Sequence, residues 1–186
     1  MGRRLFVSID LPDSFADAVK TVQDEFRDAG GLTFVDPAQA HVTLKFLGDT
    51  PEKRIGPLTD ELRMAIEEAG VTVFEATYSG LGVFPSPEYI RVVWLGVEQG
   101  GAEMVRLHEA IEERTVAMGF QAETHEFTPH VTLARMQHAS GKELVQQVVS
   151  EREPVVGTTQ VGDVRLTESE LGPDGPVYST VERFEL

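Results

Sequence analysis

Two identical tetrapeptides, His41-Val42-Thr43-Leu44 and His130-Val131-Thr132-Leu133, stand 89 positions apart in a chain of 186 residues that has five histidines. With Val, Thr and Leu each at roughly 5–10% of residues, chance recurrence after another His has odds on the order of one in several hundred. In an extended strand alternate side chains share a face, so each motif offers an imidazole and a hydroxyl about 7 Å apart, with Val and Leu turned to the other side. Two imidazoles suit symmetric acid–base chemistry at phosphorus. One takes a proton from an attacking water while the other gives one to the departing oxygen, and unperturbed values near pH 6.5 let one be neutral and the other charged at about neutral pH. Thr43 and Thr132 are then placed to donate hydrogen bonds to non-bridging phosphate oxygens.

The same alternation puts Lys45 on the His41 face, and Arg135 follows the second motif. In an acidic chain, a cation beside each motif is a candidate phosphate clamp. His108 on a predicted helix, His125 beside Glu126, and His138 in a predicted loop read as solvated residues outside the site. Neither motif has a second His or a carboxylate at metal-ligand spacing, and with no cysteine in the chain a thiolate site, a disulfide and a cysteine nucleophile are all excluded. No metal and no cofactor is expected. Gly80-Leu81-Gly82 lacks the third glycine and the Lys-Ser/Thr ending of a phosphate-cradling loop, so the Gly80–Pro87 stretch reads as a linker.

The elements that must position these groups follow from periodicity. Residues 5–11 alternate as a strand, with Leu5, Val7 and Ile9 opposite Phe6, Ser8 and Asp10. Phe15, Val19, Val22 and Phe26 mark an amphipathic helix capped by Asp13 or Ser14 and stopped at Gly30-Gly31. A strand over Ala40–Leu47, a helix carrying Ile55, Leu58, Leu62 and Ile66, and a strand over Val71–Tyr78 complete a first half. The same order then recurs: a strand over Arg91–Val97, a helix on Met104, Leu107, Ile111 and Met118, and a strand over Phe127–Arg135. Ser140-Gly141-Lys142-Glu143 has the form of a capping box, and strands over Val155–Leu166 and Val177–Leu186 close the chain. These elements predict an α+β fold, a single two-lobed domain of mainly antiparallel sheet around a central cleft, with an internal duplication of about 1–86 and 87–186.

Composition bounds the setting. A hydrophobic content of 41% with no long apolar run predicts a soluble chain without a membrane-spanning helix. The basic start Met1-Gly2-Arg3-Arg4 leads into an apolar stretch that Asp10 interrupts, and the segment reads as a first strand; zero cysteines suit a cytoplasmic protein, which is the expectation. The 31 acidic against 16 basic residues give a net charge of −15, the wrong sign for coating nucleic acid along its backbone. The same excess fits a protein working in concentrated salt. Oligomeric state is open, with a monomer favoured.

At nearly full length the chain resembles the two-histidine phosphoesterases. Within them it is most similar to the bacterial and archaeal RNA 2′,3′-cyclic phosphodiesterases, also called 2′-5′ RNA ligases. The likeness is carried by Arg4–Pro12, His41–Gly48, Gly80–Pro85, Arg91–Gly96, Pro129–Arg135 and Glu168-Ser169. It departs at Phe34, where a tryptophan is expected, and in the strong acidity. The resemblance implies that His41 protonates the leaving 3′-oxygen and that His130 activates water, giving a 2′-phosphate end. It also implies that Thr43, Thr132 and Arg135 hold the phosphate and that the site can run weakly backward as a 2′-5′ ligase. Substrates on this reading are RNA 3′ ends or small cyclic-phosphate nucleotides. An RNA-end binding module without catalysis and a His-ligated metal hydrolase are the competing classes.

Overall fold

A computed structural model describes residues 2–186. The first half of the chain runs β1 (Gly2–Asp10), α1 (Ala16–Asp24), β2 (Leu32–Phe34), β3 (His41–Pro51), α2 (Glu52–Ala69) and β4 (Phe74–Ser86). The second runs β5 (Tyr89–Gln99), α3 (Gly101–Ala117), β6 (His130–Met136), α4 (Lys142–Glu151), β7 (Val155–Val161), β8 (Asp163–Gly172) and β9 (Gly175–Glu185). The expected elements are present with three differences: β2 is added, the Val155–Leu166 stretch divides at Gly162 into β7 and β8, and α1 ends at Asp24 rather than at Gly30-Gly31. Two expected caps are not present. Pro12 stays extended and its carbonyl accepts the Phe15 N–H at 2.9 Å, so a 3₁₀ turn, with no side-chain cap from Asp13 or Ser14, leads into α1. Ser140 Oγ lies 3.0 Å from His138 Nδ1, and α4 starts after Gly141 without a side-chain cap.

The strands form one antiparallel sheet in the order β7-β4-β5-β6-β3-β1-β8-β9, with β2 beside the far end of β6. Its two wings meet at a single register pair, Val42 with Val131, so the first residues of β3 and β6 open onto the same central cleft. Helices α2 and α3 pack behind β3 and its wing; α1 and α4 pack behind β4, β6 and β7. Between helices and sheet lie the fully buried Leu44, Leu58, Leu62, Leu95, Leu107, Ile111 and Leu133. The lobes do not coincide with residues 1–86 and 87–186. Strand β4 crosses over to pair with β5 and β7, while β8 and β9 return to β1. The Gly80–Pro87 stretch is correspondingly no linker. It lies largely within β4, where register shifts at Tyr78/Leu81 and Phe84/Pro85 show that its Gly and Pro residues mark irregular pairing inside a sheet.

Candidate active site

His41 and His130 are the first residues of their strands, and each is oriented by the main chain two residues before it. His41 Nδ1 lies 2.9 Å from the Gln39 carbonyl, and His130 Nδ1 lies 2.7 Å from the Thr128 carbonyl. A carbonyl can only accept, so both Nδ1 atoms carry hydrogen and both Nε2 atoms are left for chemistry. His41 Nε2 points to Thr43 Oγ1 at 3.1 Å. The antiparallel register about Val42–Val131 sets His41 alongside Thr132 and His130 alongside Thr43, so the four groups face one position.

Both strands are bulged at the last residue of the motif. β1 pairs Ser8 with Thr43 and then Val7 with Lys45, so Leu44 is an extra residue; β5 pairs Trp94 with Thr132 and then Val93 with Ala134, so Leu133 is extra. An inserted residue reverses the alternation beyond it. Leu44 and Lys45 are both buried and Phe46 is 63% exposed. Leu133 and Ala134 are both buried, and Arg135 is exposed on the side of the histidines. The expectation that Lys45 clamps phosphate is therefore corrected. Its ammonium lies on the core side, 2.8 Å from Glu112 Oε1 and 2.6 Å from the Gln121 carbonyl. Arg135 and the exposed Phe46 take the cleft positions instead.

At each bulge the carbonyl of the extra residue accepts from a buried side chain of the helix beneath, and the Leu133 carbonyl also accepts the Val35 N–H at 3.1 Å. His108 Nδ1 donates to Leu44 O at 2.7 Å, and Gln23 Nε2 donates to Leu133 O at 3.1 Å and Val35 O at 2.9 Å. His108 is thus buried and structural, stacked on Phe127, and not a solvated residue. His125 and His138 are exposed and lie outside the site, as expected.

Each catalytic candidate sits in an aromatic corner that the repeat did not announce. The His41 ring lies 5.0 Å from Phe6 and meets Tyr178 edge-on at 5.2 Å. The His130 ring meets Phe84 edge-on at 4.8 Å and lies 5.9 Å from Trp94. Phe6 and Trp94 come from strands paired to the motif strands, but Phe84 and Tyr178 come from β4 and β9, which only the folded sheet brings there. Tyr178 is held by Gln39, whose side chain donates to Pro176 O and accepts from Tyr178 N. A cleft of about 480 Å³ runs from this corner, walled by Phe6, Asp10, Gln39, His41, Arg165 and Tyr178.

The two imidazoles differ electrostatically. Burial pushes the pKa of both below the ordinary 6.5. At His41 the Gln39 carbonyl and the Asp10 carboxylate oppose that push, while Arg135 adds to it. At His130 only the Thr128 carbonyl opposes it, and Arg135 and His41 both add to it. Asp10, register partner of His41, thus favours a proton on that ring. Among the described residues no group of three or more His, Cys, Asp or Glu side chains converges as a metal site.

The two-winged α+β scaffold thus carries a pair of imidazoles anchored through Nδ1, with threonine hydroxyls on the same strands and the Arg135 guanidinium beyond the second. The chain belongs to the 2′-5′ RNA ligase superfamily, whose model matches residues 11–173. A relative from Methanothermobacter thermautotrophicus, named RNA 2′,3′-cyclic phosphodiesterase, is 36% identical over 188 residues that cover 100% of both chains. The crystal structure of a Thermus thermophilus protein is 30% identical, with a TM-score of 0.77 and coverage of 98% of this chain and 97% of that one. Escherichia coli LigT complexed with 3′-AMP shares the fold, with a TM-score of 0.80 at 22% identity and coverage of 100% and 99%. No helix among the described residues is long and apolar enough to cross a membrane.

Proposed function

We propose that this protein hydrolyses 2′,3′-cyclic phosphate at RNA 3′ ends to a 2′-phosphate, without a metal, through His41 and His130. The observation that carries the reading is the pair of main-chain-anchored imidazoles whose Nε2 atoms both open on the position faced by Thr43 and Thr132. In the reaction, water attacks phosphorus and its proton passes to His130 Nε2. The P–O3′ bond breaks, and the Nε2 proton of His41, held as imidazolium, passes to the 3′-oxygen. Asp10 beside His41 and the lack of such a carboxylate among the groups acting on His130 support this division of roles. Thr43, Thr132 and Arg135 hold the non-bridging oxygens as charge develops. The names of the curated relatives support the substrate class.

The same steps with a 5′-hydroxyl in place of water, its proton passing to His130 while the P–O3′ bond breaks and O3′ takes the proton of His41, give 2′-5′ joining. A second reading, hydrolysis of small nucleoside cyclic phosphates, is favoured by the net charge of −15, which repels a long polyanion. Turnover of a mononucleotide against an octanucleotide carrying the same cyclic end separates the two, and excess chelator tests the metal-free mechanism. The offset of 89 positions and the bulge shared by β3 and β6 support an internal duplication. Absence of cysteine supports a cytoplasmic site of action, and the acidity supports a high-salt one.

A further inference from the structure

His130 is delivered by a segment without regular structure. Residues 120–129 join α3 to β6 with neither helix nor strand, yet they must place an imidazole accurately against one on another strand. What ties them down is a group of polar side chains on the side of β3 away from the cleft, the buried Lys45 and His108 and the part-exposed Glu112. Lys45, 2% exposed, directs its ammonium to Glu112 Oε1 at 2.8 Å, Glu112 Oε2 at 3.2 Å and the Gln121 carbonyl at 2.6 Å, which accounts for all three protons. Glu112 Oε1 also accepts the Glu123 N–H at 3.1 Å. One turn earlier on α3, His108 donates to Leu44 O at 2.7 Å and stacks flat on Phe127, with ring centres 4.1 Å apart and planes at 8°. The residue after Phe127 is Thr128, whose carbonyl accepts from His130 Nδ1.

A continuous set of contacts therefore runs from Leu44 and Lys45, just past Thr43, through α3 to residues 121, 123 and 127 and on to His130. The arrangement is one-sided. The position matching Lys45 in β6 is the buried Ala134, and the segment before His41 is held by the neutral amides of Gln23 and Gln39. A largely buried ion pair that served stability alone could often be replaced by apolar groups of similar volume without loss. This pair also satisfies a carbonyl and an amide of the very segment that carries the second histidine.

We propose that Lys45, Glu112 and His108 are positioning residues that lock residues 120–129 and so set the place of His130 relative to His41, an inference that rests on the paired-histidine reading above. The test is the double variant Lys45→Met/Glu112→Leu, which removes both charges while keeping side-chain volume. It is assayed at a temperature where circular dichroism shows it folded. The expected result is a melting temperature close to that of the parent, a fall in kcat of about 10–100-fold as the imidazole is misplaced, KM within about 2-fold because the phosphate-holding groups are untouched, and faster amide hydrogen exchange confined to residues 121–129. Parent-like kcat, or exchange at 121–129 no faster than in the parent, overturns the proposal. His41→Ala in the same assay keeps the two ideas separable. If the parent itself turns over no cyclic-phosphate RNA, the functional reading fails, and hydrogen exchange together with the ring resonances of His130 still decides whether these residues position it.

Discussion

Trp94 is the chain's one tryptophan, and its indole lies over Gly82 on the neighbouring strand. A methyl group at residue 82 would stand 2.1 Å from Trp94 Cζ2, 2.3 Å from Cη2 and 2.5 Å from Cε2. Carbon atoms in ordinary contact sit about 3.5–4.0 Å apart, so Gly82→Ala must move the indole by roughly 1.5 Å. The ring cannot move freely, because Phe84 is 5.0 Å away and the His130 ring 5.9 Å away. Overpacking of this kind costs about 1–3 kcal/mol, and in a chain of this size about 2–4 °C of Tm is expected per kcal/mol. Misplacing a catalytic group by about 1 Å is worth up to about 10²-fold, so kcat/KM on a short RNA with a 2′,3′-cyclic phosphate is expected to fall by about 10–100-fold. Intrinsic fluorescence reports the displacement directly, with a shifted emission maximum. Gly82→Ala/Trp94→Leu, which restores the space, is expected to recover Tm. A Gly82→Ala variant with parent-like kcat/KM and unshifted emission would refute the idea that the Trp94–Phe84 corner sets the position of His130.

The remaining expectations concern protons, phosphate and salt. Because burial lowers the pKa of both histidines, the bell-shaped pH profile of kcat/KM is expected to peak below about pH 6.5, with apparent values belonging to the pair. Asp10→Asn removes the charge that holds a proton on His41 and is expected to move the alkaline limb to lower pH; an unmoved limb contradicts the assignment of His41 as acid. The same depressed values mean that the unfolded chain binds more protons below about pH 6.5, so the histidine contribution to stability is present above that pH and is lost as the pH falls, which chemical denaturation at several pH values checks. Arg135→Met is expected to cost at least about 10-fold in kcat/KM for loss of a charge-assisted contact to phosphate; parent-like activity would remove Arg135 from the site. A net charge of −15 predicts a Tm that rises from low salt to molar KCl, where the screening length falls to about 3 Å; a falling Tm would argue against salt adaptation.

Much of the scaffold was legible because the strands and helices of this chain carry clean periodicities. The two motifs were legible because the same tetrapeptide occurs twice in one chain. Strict alternation then failed at one residue on each side. The bulges at Leu44 and Leu133 exchange the faces of the residues that follow, so Lys45 lies in the core and Phe46 at the cleft, until a second shift at Leu47 in β3. Nothing local marks the bulge between Leu44 and Lys45; its signal is the Leu44 carbonyl, whose partner His108 is recognised only in the folded chain. His108 was misread for the same reason, since its partners, Leu44 and Phe127, lie 64 and 19 positions away. Tyr178 and Phe84 reach the histidines through the sheet order β4-β5-β6 and β3-β1-β8-β9, a pairing at long sequence separation that no local window contains. Gly80–Pro87 misled because glycine and proline signal irregular strands as well as linkers.

The central claim is best tested by the product formed from a short RNA ending in a 2′,3′-cyclic phosphate, incubated with excess chelator and resolved by phosphorus NMR, with His41→Ala and His130→Ala alongside. Quantitative conversion to the 2′-phosphate by the parent, and loss of at least about 10²-fold in each variant, is the predicted result. A 3′-phosphate product would contradict the placing of His41 at the 3′-oxygen, and either variant retaining parent-like turnover would contradict the paired-histidine mechanism itself.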